Sequence, residues 1–544
     1  MKLIIVGGVA GGAAAATRAR RLSEETEITI YERGSYISFA NCGLPYYIGG
    51  DIADREKLLI TTPDFLKKRF NIAVHTLMEV TAIDRLAKTV TVKNLKTSET
   101  FEDKYDVLIL SPGANPVKPP IPGIDLPGIY TLRTIDDMDT IVKAASVKPQ
   151  HVTVVGGGYI GVEVAENLAH KGISVAVIEA TPQVMAPFDP ELATLLHAEL
   201  QEKGISLHLQ SPVQAFEQNG KKIDVLLPEN KRITTDFVVF SIGVRPETSL
   251  AKQAGLDIGH TGGIKVNERM QTSDQLIYAV GDACEVRSLP LSIPKLIPLA
   301  GPAARQGRIA ANNIFGISSF FRGTQGTAVI RVFSLTAACT GANEKTLRKE
   351  SIPYEKIYLT PSNHAEYYPA AEKMVFKLLF DKTDGRILGA QIVGKEGVDK
   401  RIDIIATAIQ ANMTVFSLEE TELAYAPPYG SAKDPVNMAG FIASNHLRGT
   451  SMVIHWDTPR RYMFLIDVRT KKEWDNGHDE RAVHIPLDEL RQRLNEIPSD
   501  REIGVYCHSG MRSYIASQIL RNSGFRAKNI SGGYFIRELF KNIL

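Results

Sequence analysis

The sequence predicts an α/β protein with two strand–turn–helix–strand units at its front and two further units behind them. Three observations carry that prediction. Apolar strands run into glycine-rich turns at Gly7-Gly8-Val9-Ala10-Gly11-Gly12 and again at Gly156-Gly157-Gly158-Tyr159-Ile160-Gly161. Each turn opens a helix and is followed by a strand that ends on a carboxylate, Glu32 in the first copy and Glu179 in the second. After residues 445–450 the pattern changes, and a fresh series of short strands and helices begins.

In chain order, residues 3–6 are a short apolar strand, 13–22 a small-residue helix and 27–31 a strand ending at Glu32. Glycines at 7, 8, 11 and 12 let a backbone approach a pyrophosphate at the helix N-terminus, and the acid accepts hydrogen bonds from a ribose. This is the pattern of a Rossmann-like dinucleotide site, with Val9 standing where the middle glycine is usual. The first sixteen residues therefore read as a nucleotide loop rather than a secretory signal. Residues 105–116 form a buried strand running into a turn at Gly113. The second copy, strand 152–155, glycines 156, 158 and 161, a helix through Ala169 and strand 174–178, is complete. Glu179 is followed by Ala180, Thr181 and Pro182 rather than arginines, which favours NADH over NADPH because the carboxylate repels a 2′-phosphate. Residues 277–282 are another strand, ending in Gly281-Asp282.

Composition narrows the function classes. With 544 residues, 44% hydrophobic, the chain is long enough for three or four domains, and a formal net charge of +2 gives no reason to expect nucleic acid or a membrane surface. Its four cysteines, Cys42, Cys284, Cys339 and Cys507, are too scattered for a disulfide framework or a metal-ligand cluster, so no metal is expected and a reducing cytoplasm fits best. Cys284 and Cys339 read as small buried residues.

Cys42 lies in 38–47 (SFANCGLPYY), just after the first dinucleotide unit, as a redox cysteine beside a flavin would. Flavin enzymes that reduce disulfides usually carry two cysteines here, four residues apart, but the positions five away from Cys42 are Ile37 and Tyr47. Either the substrate supplies the second sulfur, or Cys42 cycles as a sulfenic acid.

Together these runs resemble the two-dinucleotide-domain flavoprotein disulfide reductase superfamily. The resemblance implies FAD in the first site and NADH in the second, Gly281 and Asp282 on the flavin ribityl chain, and Glu163 near flavin and nicotinamide. The helix beginning at Ala300, with Gln306-Gly307-Arg308, fits the same pattern. The single cysteine is similar to the branch of coenzyme A-disulfide reductases, NADH oxidases and peroxidases, and coenzyme A persulfide or polysulfide reductases. Residues 38–46, 364–369 and 423–430 resemble its coenzyme A members. By that resemblance Tyr367 and Tyr425 reach across a homodimer interface to the other subunit's sulfur, although tyrosines near Pro and Gly also serve as packing. Tyr46, Tyr47, Tyr368 and Tyr429 are secondary candidates. Arg18 and Arg21 are implied as coenzyme A contacts, Ser38 and Asn41 lie toward the sulfur end, and Lys68 and Arg69 are further cations, against the plain alternative of solvated surface charge.

At the C-terminal end, 465–469 (LIDVR), Glu473-Trp474, Gly477-His478, 484–487, 505–513 (VYCHSGMRS) and 530–534 resemble a rhodanese domain in order and spacing. A strand, cysteine loop and helix point amides at the sulfur, and with Arg512 make Cys507 a nucleophile able to hold a persulfide. Only four residues separate Cys507 from Arg512, as in sulfur carriers rather than phosphatases; a degenerate, regulatory module is the alternative.

The expected architecture is α/β throughout its dinucleotide parts. It has an FAD domain over 1–118 and 246–322, an NADH domain over 119–245, an α+β dimerisation domain over 323–446 and a rhodanese domain over 452–544. The expected function is NADH-dependent, FAD-dependent reduction of coenzyme A persulfide or polysulfide to hydrogen sulfide through Cys42, with Cys507 carrying sulfane sulfur. Coenzyme A-disulfide reduction is the nearest alternative, an NADH oxidase or peroxidase using Cys42 sulfenate the third, and a redox-sensing sulfur binder the non-enzyme reading.

Overall fold

The computed structural model describes residues 1–458, 462–541 and 543. Pro459, Arg460, Arg461, Asn542 and Leu544, inside the 452–544 span expected for the last domain, lie outside the described residues. The chain divides into two compact units. The first comprises Met1–Val184, Gly204–Ser288 and Ser292–Gly326, and the second Met185–Lys203, Leu289–Leu291 and Thr327–Leu544.

The first unit contains two five-stranded parallel sheets of matching design. In one, strand Lys2–Val6 lies between Glu27–Glu32 and Val107–Leu110, with Ile277–Ala279 and Ala73–Thr76 outside them. In the other, His151–Val155 lies between Ser174–Ile178 and Phe237–Phe240, flanked by Ile129–Tyr130 and Ser206–His208. Leu3, Ile4 and Ile5 are fully buried, which is why these strands read as unbroken apolar runs: a parallel sheet covered on both faces has no solvent side to alternate with. Helix Ala10–Leu22 follows the first strand, and its Gly11, Gly12, Ala15, Ala16 and Ala19 are all buried. Small residues on that face permit close approach of helix Ala300–Ile314: a Cβ on Gly307 would lie 2.2 Å from the Gly11 carbonyl oxygen.

The second unit carries a five-stranded antiparallel sheet in the order Ala328–Val332, Leu335–Gly341, Ile387–Gly394, Met374–Asp381, Tyr354–Leu359. Helices Val398–Gln410 and Pro435–Leu447 contribute Ile402, Ile405, Ile409, Val436 and Ala443 to its core. The same unit holds a parallel sheet of Val453–Ile454, Arg526–Ile530, Glu502–Tyr506, Phe464–Asp467 and Ala482–His484.

A charge lies at the centre of the antiparallel sheet. Lys377 has no exposed surface, and its ammonium donates to Asp189 Oδ2 at 2.7 Å and also to Glu191 and Glu344. Burial alone would lower the Lys377 pKa, but Tyr358, Glu191, Asp189 and Glu344 outweigh it and hold the group well above its ordinary value. Lys356 bridges Glu344 at 2.9 Å and Asp457 at 2.6 Å, and the Tyr358 amide donates to Ser531 Oγ at 2.8 Å. One network thus ties the antiparallel sheet to the parallel sheet that follows it.

Breaking a buried pair leaves uncompensated charges, so Lys377→Met is expected to cost about 3–5 kcal/mol in denaturant unfolding. Glu344 is held below its ordinary 4.5 because, although burial acts upward, Lys377 and Lys356 dominate. A depressed carboxylate contributes its stability above the unfolded pKa and loses it as pH falls. Acid titration should therefore weaken the wild-type chain progressively below pH 4.5, and this component should be missing from Glu344→Gln.

Candidate active site

Both glycine turns are shaped by the same close approaches. Gly7 has φ +87° and Gly156 φ +110°, in the left-handed region that favours glycine, and their amides donate to Tyr31 O at 2.9 Å and Ile178 O at 2.8 Å. A Cβ on Gly12 would lie 2.0 Å from Gly7 O, and one on Gly161 1.9 Å from Gly156 O. The strand-end acids are anchored alike. Glu32 accepts from the amides of Gly8 (2.9 Å) and Gly34 (2.8 Å), and Glu179 from those of Gly157 and Thr181 (2.8 Å each). Val9 and Gly158 are corresponding N-cap positions, and a Cβ at Gly158 would meet open space, so a side chain at Val9 leaves the turn intact. The two turns fit two dinucleotides.

Between these turns, strand Ser38–Phe39 pairs with Leu59–Thr61, Asn41–Gly43 forms a single 3-10 turn, and helix Leu44–Gly49 follows. Cys42 and Asn41 are exposed, and Ser38 is buried with its hydroxyl 3.4 Å from Val9 O. Tyr46 donates to Glu163 Oε1 at 3.1 Å, joining the cysteine segment to helix Tyr159–His170, and Gly49 packs so tightly there that a Cβ would fall 1.9 Å from Asn167 Oδ1. Although Cys42 is open to solvent on one side, desolvation by surrounding protein pushes its thiol up, and the Glu163 and Asp282 carboxylates push it further. Cys42, Glu163 and Asp282 are therefore electrostatic neighbours.

Burial likewise raises Asp282 and lowers Arg133, with each opposing the other's shift through its charge. Arg133 also crowds Gly113, whose Cβ would lie 2.7 Å from the guanidinium. Gly281 donates its amide to Gln306 Oε1 at 2.7 Å. Arg133 was not singled out by sequence reasoning, and Tyr46 and Gln306, named there as a secondary candidate and as part of the helix from Ala300, were given no partner, since no motif spacing links any of the three to the residues they hold.

Of the basic residues, Arg18 donates to Asn312 Oδ1 at 2.8 Å and is lowered by desolvation and by the charges of Arg308 and Arg21, which marks an arginine cluster. Arg20, between them, is buried and donates to the carbonyls of Phe70, Ser23, Glu24, Thr26 and Asn71, a wholly structural use. Lys68 and Arg69 are exposed on helix Pro63–Phe70, with Arg69 5.5 Å from the Phe65 ring centroid. In the second unit the Tyr367 and Tyr425 hydroxyls meet at 2.7 Å while both side chains stay exposed, 75% and 47%.

Cys507 is buried at the end of strand Glu502–Tyr506. Its sulfur accepts from the Gly510 amide at 3.1 Å, and the Ser513 hydroxyl stands 3.4 Å away. Gly510 turns the loop at φ +112° into helix Met511–Asn522. Gly533, at φ +59°, closes the other side: a Cβ there would sit 2.4 Å from Cys507 O, which accepts from the Tyr534 amide at 2.7 Å. Arg512 makes a two-pronged pair with Glu473 at 2.7 and 2.6 Å and also interacts with the Cys507 sulfur. Cys284 and Cys339 are buried.

Residues 1–307 match the family model described as pyridine nucleotide-disulphide oxidoreductase, 327–435 its dimerisation domain and 454–535 a rhodanese-like domain. A coenzyme A disulfide reductase of Staphylococcus haemolyticus is 36% identical over 446 residues, 81% of this chain and 99% of that relative. Among solved structures, a reduced Bacillus anthracis protein designated CoADR-RHD is 49% identical, with TM-score 0.97 over 100% of this chain and 98% of its own. An NAD-dependent persulfide reductase from A. fulgidus is 38% identical, with TM-score 0.92 over 98% of this chain and 100% of its own.

Since the Glu163 carboxylate disfavours the Cys42 thiolate, Glu163→Gln should move the pH profile of Cys42 alkylation to lower pH, read by mass spectrometry of the modified peptide. Gly12→Ala, which drives a methyl into the Gly7 carbonyl, should yield protein lacking the flavin absorbance of the wild type.

Proposed function

Because the chain belongs to the pyridine nucleotide-disulphide oxidoreductase family, we propose that it is an FAD- and NADH-dependent reductase of coenzyme A persulfide that releases hydrogen sulfide. The observation that carries this reading is the pairing, in one chain, of a solvent-open Cys42 with no disulfide partner and a second sulfur centre, Cys507, in an amide-lined loop. The persulfide reductase from A. fulgidus, similar over nearly the whole chain, supports it.

FAD, when bound, supplies the transfer of an electron pair from NADH to the sulfur side. Cys42 thiolate attacks the coenzyme A-linked sulfur of the persulfide, a Cys42–S–S–coenzyme A bond forms, the S–S bond of the persulfide breaks, and hydrosulfide leaves. Two electrons then return Cys42 and coenzyme A as thiolates. A thiol with a raised pKa gives a more basic and hence more nucleophilic thiolate once formed. Tyr367 and Tyr425, whose hydroxyls stand together and exposed, donate from a second copy of the chain to the departing sulfur. Arg18 and Arg21, with Lys68 and Arg69 further off in sequence, bind the phosphates of coenzyme A, and Ser38 and Asn41 orient its sulfur end. Cys507 accepts sulfane sulfur and passes it toward coenzyme A, with Arg512 at the loop. Inorganic polysulfide is a further substrate, and the cytoplasm is the compartment that keeps Cys42 reduced.

Reduction of coenzyme A disulfide is a second activity of the same centre, favoured by the coenzyme A disulfide reductases that match 81% of the chain. It proceeds through the identical mixed disulfide, with coenzyme A thiolate leaving in place of hydrosulfide.

Anaerobic NADH oxidation, with coenzyme A persulfide, coenzyme A disulfide and polysulfide at matched concentrations and sulfide recorded, tests both. Sulfide release with persulfide preferred supports the first reading, and disulfide preference with thiol as sole product replaces it by the second. Cys42→Ser should abolish sulfide release in either assay. Glu179→Gln keeps an acceptor but removes a charge facing the ribose, so the NADPH-to-NADH ratio of kcat/KM should rise about tenfold.

A further inference from the structure

The cation of the sulfur-carrying loop is already paired. Arg512 stands at the second position of helix Met511–Asn522, and both of its terminal nitrogens donate to the two oxygens of Glu473. The same carboxylate caps helix Lys471–Asp475, accepting from Thr470 N at 3.0 Å and Thr470 Oγ1 at 2.8 Å, so two further bonds hold it in place. Hydrogen bonding to Arg512 and to Thr470 holds the Glu473 carboxyl at about 2, so the pair is fully ionised near neutrality and sums to zero charge. Its side chains keep 33% and 31% of their surface exposed, so the pair meets solvent while its guanidinium interacts with the buried Cys507 sulfur. Beside this paired guanidinium, which also interacts with the Cys507 sulfur, the groups that attract negative charge there are the Gly510 amide and the Ser513 hydroxyl, both dipoles.

We propose that Glu473 sets the donor specificity of Cys507: by neutralising Arg512 it makes the loop select thiol persulfides over the thiosulfate dianion. This rests on the carrier role assigned to Cys507 above. In the favoured transfer, Cys507 thiolate attacks the outer sulfur of R–S–SH. A Cys507–S bond forms, the S–S bond of the donor breaks, and RS⁻ leaves with the electron pair, while the proton stays on the transferred sulfur. With thiosulfate the same attack must gather a dianion beside a thiolate and expel sulfite, another dianion. A free guanidinium would stabilise that charge, and a guanidinium held by a carboxylate does so far less.

Glu473→Gln separates the two functions of this residue, since glutamine still serves the capping box but carries no charge. The measurement is the rate of single sulfur addition to Cys507 in the full-length holoprotein without NADH, followed by intact mass, from thiosulfate and from glutathione persulfide. Wild type should load faster from the persulfide. Glu473→Gln should raise the thiosulfate-to-persulfide rate ratio roughly tenfold. The gain should shrink at high ionic strength and vanish in Glu473→Gln/Arg512→Gln. An unchanged ratio, an equal change with both donors, loss of loading from both, or thiosulfate preferred by wild type each overturns the proposal. NADH-driven sulfide release from coenzyme A persulfide, assayed on the same preparations, reports separately on the Cys42 reading.

Discussion

A fully buried ammonium is the constraint around which the second unit is organised. Lys377 cannot be held in the middle of a strand without counter-charge, and three carboxylates from distant parts of the chain, Asp189, Glu191 and Glu344, supply it. Those acids form a cluster that could otherwise hold a metal ion, and the lysine fills it. Once fixed, Glu344 fixes Lys356, Lys356 fixes Asp457, and the neighbouring Tyr358 takes Ser531 of the rhodanese-like domain. Ion pairs of this kind add little net stability over apolar packing, but they tolerate no slippage.

The dinucleotide sites depend on a different constraint, the distance between backbone atoms. Twice in the first unit a glycine turn folds back until the last glycine touches the carbonyl of the first at a distance no side chain permits. Parallel pairing places strand ends in register, Val6 opposite Tyr31 and Val155 opposite Ile178, so that each turn and its acid meet at the same edge of the sheet. The repeated geometry explains why one middle glycine is dispensable: that position faces open space, whereas the others face backbone.

The two sulfur centres are built for opposite circumstances. Cys42 is exposed, yet desolvation by surrounding protein and the Glu163 and Asp282 carboxylates raise its thiol. Cys507 is buried beneath an amide and a hydroxyl and closed in by Gly533. Each departs from the common two-cysteine device in its own way, and the difference lies in the surrounding dipoles and charges rather than in the thiol.

Local chemistry was legible from the residues alone. The glycine spacings, the strand-end acids, the lone Cys42 and the short loop at Cys507 each demand a particular backbone shape, so the α/β fold, the dinucleotide cofactors and the rhodanese module could be read before any coordinate was known. Element ends were close as well: the strand read at 174–178 is Ser174–Ile178, while the first helix begins three residues earlier than read, at Ala10, because Val9 already serves as its N-cap. What the sequence could not reveal were contacts whose partners lie far apart along the chain. The buried partners of Lys377, the Tyr46 bond to Glu163, the grip of Gln306 on Gly281 and the Glu473 fork on Arg512 bear no spacing signature. Motifs record what a single turn of backbone must be, whereas charge pairing across separate elements is decided only when packing brings them within hydrogen-bond reach and removes the water between them.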